Sequence, residues 1–157
     1  LLISCLYLTL GQSQLWYLKA QLAKDPITQN SQMFISPTPF NIVFWRVISY
    51  HGDIYYEAFT NVFNQQPLKW KALDSGRSLL NGFDSKELQR LEWFSGGLLK
   101  FEAKQGKLIA TDLRLGFSQV YPFSFSIAKQ ENGWIAIPSE KMPELEVNLE
   151  NFKKILP

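Results

Sequence analysis

The sequence predicts an α+β fold: a mostly antiparallel β-sheet built from hairpins, with an N-terminal helix and short helices packed on it. Three observations predict it. Residues 2–24 carry apolar side chains at helical spacing and stop at Asp25-Pro26. Glycine-containing turns at His51-Gly52, Gln105-Gly106 and Asn132-Gly133 each separate two apolar runs. Those runs are rich in β-branched and aromatic residues, the composition of strands.

In the first segment Ile3, Leu6, Tyr7, Leu10, Gln14, Tyr17 and Leu18 share a face, widened by Leu15 and Leu22. Gly11 weakens its middle by about 1 kcal/mol relative to alanine. Ten nearly all-apolar residues open it, a length of about 15 Å as a helix and roughly half a bilayer core. They lack the basic flank of a signal peptide. Two readings stand: a helix of the domain core, or the tail of a membrane span or the helix following one. The segment 1–24 is therefore set apart, and residues 25–157 are read as a single soluble α+β domain.

Residues 25–31 read as a linker, and 32–35 as a short strand. Pro37 and Pro39 separate it from a strand at 41–50, apolar on both faces and so placed centrally. A two-residue type I′ turn at His51-Gly52 needs positive φ at both positions. That register sets Tyr50 opposite Asp53, Ile48 opposite Tyr55, Phe44 opposite Phe59, and Arg46 directly opposite Glu57. Residues 68–73 suggest another strand, and 75–83 and 85–94 two short helices. Ser85 reads as the cap of the second and Gly96-Gly97 as its stop. Leu98–Ala103 and Lys107–Arg114 form a hairpin. Residues 121–129 alternate, with Ser124, Ser126 and Ala128 on a face expected to meet water. Trp134–Pro138 follows Asn132-Gly133, and a closing helix is expected from about Leu149.

The chain of 157 residues is long enough for a substantial core, and its 46% hydrophobic and 15% aromatic content excludes a disordered tail. A net charge of +2 with scattered basic residues argues against nucleic acid as a partner. The single cysteine, Cys5, makes no internal disulfide and sits in an apolar helix. The single histidine, His51, forms a His-x-Asp pair with Asp53, too few ligands for a metal site. No serine lies in a nucleophile elbow and no phosphate-binding glycine loop is present. The candidate binding residues are charges on strands: Arg46, Glu57, Asp112 and Arg114. Asp112 and Arg114 share a face of strand 107–114. If the two hairpins are neighbours, the four make one cluster, either a mutually compensating ion-pair network or an anion or substrate pocket. The heavy aromatic load reads mainly as core, the alternative being an apolar groove for lipid or carbohydrate.

Five blocks in order carry a resemblance. Pro37-Thr38-Pro39-Phe40-Asn41 with Trp45-Arg46-Val47 comes first. Asp53-Ile54-Tyr55-Tyr56-Glu57 follows as a D-x-Y-Y strand, and Leu91-Glu92-Trp93-Phe94-Ser95 as an L-x-W-F-S helix end. Thr111-Asp112-Leu113-Arg114-Leu115-Gly116 and Tyr121-Pro122-Phe123-Ser124-Phe125 complete the series. Over most of residues 5–128 the chain resembles the C-terminal soluble domain of the bacterial membrane-bound metal-dependent hydrolase family (YdjM-like). Tyr7 fits a tyrosine that follows the family's last membrane helix. The resemblance implies an inner-membrane parent whose metal ligands, histidine and aspartate, lie in an N-terminal membrane region. None of those positions is in this chain, so no catalytic residue, metal ligand or cofactor is expected within it. The implied role is an accessory domain for substrate or partner binding, facing the periplasm, with the parent's own transmembrane region as a partner. A free-standing binding or structural domain unrelated to hydrolysis is the rival, and a self-sufficient enzyme is disfavoured by the lone histidine.

Overall fold

The computed structural model describes residues 2–38, 43–61, 63, 66–116 and 121–143. The fold is α+β, with two antiparallel four-stranded sheets. The chain divides into two compact units, Leu1–Leu73 and Asp74–Pro157, where the sequence reading drew one boundary, after residue 24. The closing helix expected from Leu149, and the residues Pro39 to Ile42 of the Pro-x-Pro segment, lie outside the described residues.

The first unit opens with helix α1 (Leu2–Leu22), followed by a 3-10 turn at Pro26–Thr28. Asp25 ends the helix and starts the turn: its Oδ1 accepts from Ile27 N at 2.9 Å, and Oδ2 from Trp70 Nε1 at 2.8 Å. Strands β1 (Gln32–Pro37), β2 (Phe44–Tyr50), β3 (Ile54–Asn61) and β4 (Lys71–Asp74) follow in spatial order 1-2-3-4. Pro37 lies on the edge strand, where its missing N–H is harmless. As expected for a central strand, β2 is buried on both faces from Trp45 to Tyr50.

The β2–β3 register departs from the expected one. Tyr50 pairs with Tyr55, Ile48 with Glu57, and Arg46 with Phe59. Three residues, His51 to Asp53, make the connection. Gly52 has φ +81°, but His51 is not among the residues with positive φ, so the type I′ geometry is not met. Instead the His51 N–H donates to the Ile54 carbonyl at 2.9 Å. The shift is two residues, which leaves every side chain on its expected face.

In the second unit a 3-10 turn at Arg77–Leu80 stands where a first short helix was expected, and helix α2 spans Lys86–Ser95. Ser85 Oγ accepts from Leu88 N at 3.1 Å, and Gly96 closes the helix at φ +63°. Strands β5 (Leu99–Lys104), β6 (Lys107–Asp112), β7 (Ser124–Gln130) and β8 (Trp134–Lys141) form a meander. Gln105 and Gly106 do adopt positive φ, 54° and 70°, so the β5–β6 turn has the two-residue form. Leu80 and Leu88 pack with Leu99, Phe101, Leu108, Ala110, Ile127 and Ala128 in one core. The serine face of β7 is not towards water: Ser126 and Ala128 are fully buried. A register irregularity leaves Ile127 without a partner on β6, and this breaks the expected alternation.

Candidate functional site

The four charged residues singled out above form two pairs, one in each unit. Arg46 Nε donates to Glu57 Oε1 at 2.6 Å, with side chains 1% and 6% exposed. They are diagonal rather than opposite neighbours, because of the two-residue register shift. Pairing with a guanidinium offsets part of the cost of keeping a carboxylate in a dry interior. Tyr50 and Tyr55, stacked at 6.5 Å, lie on the same face.

Asp112 and Arg114 do not share a strand face. The Asp112 carboxylate accepts from the Arg114 backbone N–H at 2.9 Å and caps a 3-10 turn over Leu113–Leu115, which ends β6. It also binds the guanidinium through two bonds, Nε–Oδ1 at 3.0 Å and Nη2–Oδ2 at 2.7 Å. Hydrogen bonding from Asp112 raises the Arg114 pKa, against the lowering effect of partial burial. The guanidinium lies 5.2 Å from the centre of the Phe94 ring. The two hairpins belong to different sheets.

His51 does more than fill a turn. Its Nε2 lies 2.8 Å from the Ile27 carbonyl and 3.1 Å from Ser49 Oγ, and its ring stands edge-on to Tyr56. Ser49 Oγ is also 2.7 Å from both Ile27 O and Ser31 Oγ. The Ser49–His51 distance suits a nucleophile and its base, but the chemistry does not. A carbonyl only accepts, so Nε2 carries the proton and cannot take one from Ser49. Ser49 is also fully buried. The network fastens the segment 27–31 to β2. Sequence spacing gave no sign of it, since Ile27 and His51 are 24 residues apart.

Helix α1 is the third feature. Leu18 and Leu22 are buried, and Leu15 half-buried. Leu6, Tyr7, Leu8 and Leu10 are exposed, Leu8 to 64%, and Trp16 to 75%. The face expected to form core is thus packed only near its C-terminal end. The hydroxyls of Thr9 and Ser13 donate back to carbonyls one turn earlier. No helix among the described residues is long and apolar enough to cross a membrane. Among the same residues no group of three or more His, Cys, Asp or Glu side chains is placed to hold a metal ion.

Comparison with known proteins finds no matching protein-family model, no similar curated protein and no similar solved structure.

Proposed function

We propose that this chain is an accessory domain of a membrane-bound protein of the metal-dependent hydrolase type. It binds a substrate or partner and leaves bond cleavage to the membrane region. The observation that carries the membrane part of this reading is the exposed first half of α1. Residues 6, 7, 8 and 10 point in different directions around a helix and all are apolar. A protein partner covers one face of a helix, whereas lipid covers all of them. No charge occurs in residues 1–18, and Trp16 and Tyr17 lie within one turn before Lys19. That is the order of an interfacial aromatic belt followed by a basic anchor. The Thr9 and Ser13 hydroxyls are bonded back to helix carbonyls, which lowers their cost in lipid. The proposed location is the bacterial inner membrane, with the sheets on the periplasmic side and the upstream membrane region of the same polypeptide as neighbour.

A binding role is favoured over catalysis by the state of His51, whose ring is committed to the Ile27 carbonyl. Vesicle flotation tests the membrane part. The 157-residue chain is expected to float with vesicles of zwitterionic and anionic phospholipid, and Leu6→Lys with Leu8→Lys to prevent it. A wild-type chain that stays at the bottom of the gradient overturns the reading. Divalent-metal-dependent esterase or phosphatase activity in this chain, lost in His51→Ala, would instead make it an enzyme in its own right.

A further inference from the structure

We propose that the second unit carries a binding cleft for a neutral carbohydrate, independent of how α1 is used. The cleft encloses about 630 Å³ between the 78–83 segment and the β7–β8 turn. That volume lies within the range of small-molecule sites, roughly 300–1,000 Å³. No ionised side chain lines it. A charged ligand would therefore shed water there without meeting a countercharge.

What lines it is suited to a polyol. Phe83 and Trp134 bring aromatic rings into the wall, and both are anchored against the core. The Trp134 indole is fixed further, its Nε1 donating to the Leu79 carbonyl at 2.7 Å. Anchored rings offer an apolar surface to the C–H face of a pyranose at little entropic cost. Ser78, Asn81 and Gln130 supply a hydroxyl and two carboxamides, and these side chains make no hydrogen bond among the described residues. Carboxamides both donate and accept, as adjacent sugar hydroxyls require. Asn81 is held in a left-handed conformation, φ 45° and ψ 47°, and Gly82 follows at φ +79°. This reversal sets the 78–83 segment around the cleft. Glycine is needed at 82 because a second side chain in that conformation would be strained.

The test is a titration of the isotope-labelled 157-residue chain, followed by amide chemical shifts. The probes are maltotetraose, cellotetraose and tetra-N-acetylchitotetraose, with adenosine as a flat aromatic comparison. At least one oligosaccharide is expected to bind saturably, with shifts concentrated at 78–83 and 130–134. Asn81→Ala with Gln130→Ala, both exposed positions, is expected to weaken that binding by about tenfold. Trp134→Phe keeps an aromatic ring in the wall and is expected to retain part of it. Three results overturn the proposal: no shift in the cleft with any oligosaccharide at 10 mM-scale concentrations, about the weakest useful affinity; binding unchanged in the double variant; or shifts in the cleft from adenosine alone.

Discussion

At the residue scale, Arg46 and Glu57 put two charges where water does not reach. Removing Arg46 leaves Glu57 buried without its counterion, so Arg46→Met is expected to destabilise by about 3–5 kcal/mol. Replacing both, Arg46→Met with Glu57→Leu, restores an apolar interior and is expected to recover most of that loss. Urea unfolding of the two singles and the double measures this. A double variant as unstable as the singles would mean that the pair is not a self-contained structural unit. The pairing was legible in the sequence although its register was not. A slip of two residues keeps both side chains on one face, and an arginine reaches a diagonal neighbour as readily as an opposite one. Asp112 and Arg114 were legible only as charges two apart. Which local structure they would choose depended on the Asp112 carboxylate capturing a backbone N–H rather than leaving it to the strand ladder.

At the element scale, the turns separate what a local rule decides from what it does not. Gln105-Gly106 obeys the two-residue hairpin rule because nothing else competes for its side chains. His51-Gly52 does not, because the histidine ring is held by the Ile27 carbonyl and Tyr56. Gly76 and Gly52 provide a paired prediction. Both have positive φ, 66° and 81°. A Cβ at Gly52 meets open space, whereas one at Gly76 would sit 2.0 Å from the Phe101 carbonyl oxygen. Gly52→Ala is expected to cost about 1–2 kcal/mol, the backbone penalty alone. Gly76→Ala is expected to cost of order 3 kcal/mol or more, since the β5 backbone must shift as well. Equal losses in denaturant melts would refute the close approach. Helix α2 was readable throughout, because its cap, its Leu88 and Leu91 face and its glycine stop all lie within a dozen residues. Its aromatic end was not: Trp93, expected mainly as core, is 85% exposed.

At the scale of the whole molecule, α1 is the element whose environment is least explained by its own unit. Its 21 residues extend about 31 Å, and only the C-terminal end finds packing partners. If lipid supplies the rest, Trp16 moves from water into the interface on vesicle binding. Its emission is expected to shift to shorter wavelength in a variant whose other tryptophans, at 45, 70, 93 and 134, are replaced by phenylalanine. An unchanged spectrum in the presence of bound vesicles would show that the helix meets the surface elsewhere.

The sequence by itself determined the α+β class, the positions of most strands, the α2 boundaries and the Arg46–Glu57 pairing. These depend on side-chain periodicity, turn residues and charge, and all of them act over a few residues. Only the tertiary structure decided that the strands divide into two sheets, that His51 binds Ile27, and that Phe83, Asn81, Gln130 and Trp134 surround one cleft. It also decided that half of an apolar helix stays uncovered. Such outcomes depend on which distant segments meet, and no local pattern encodes the competition among them.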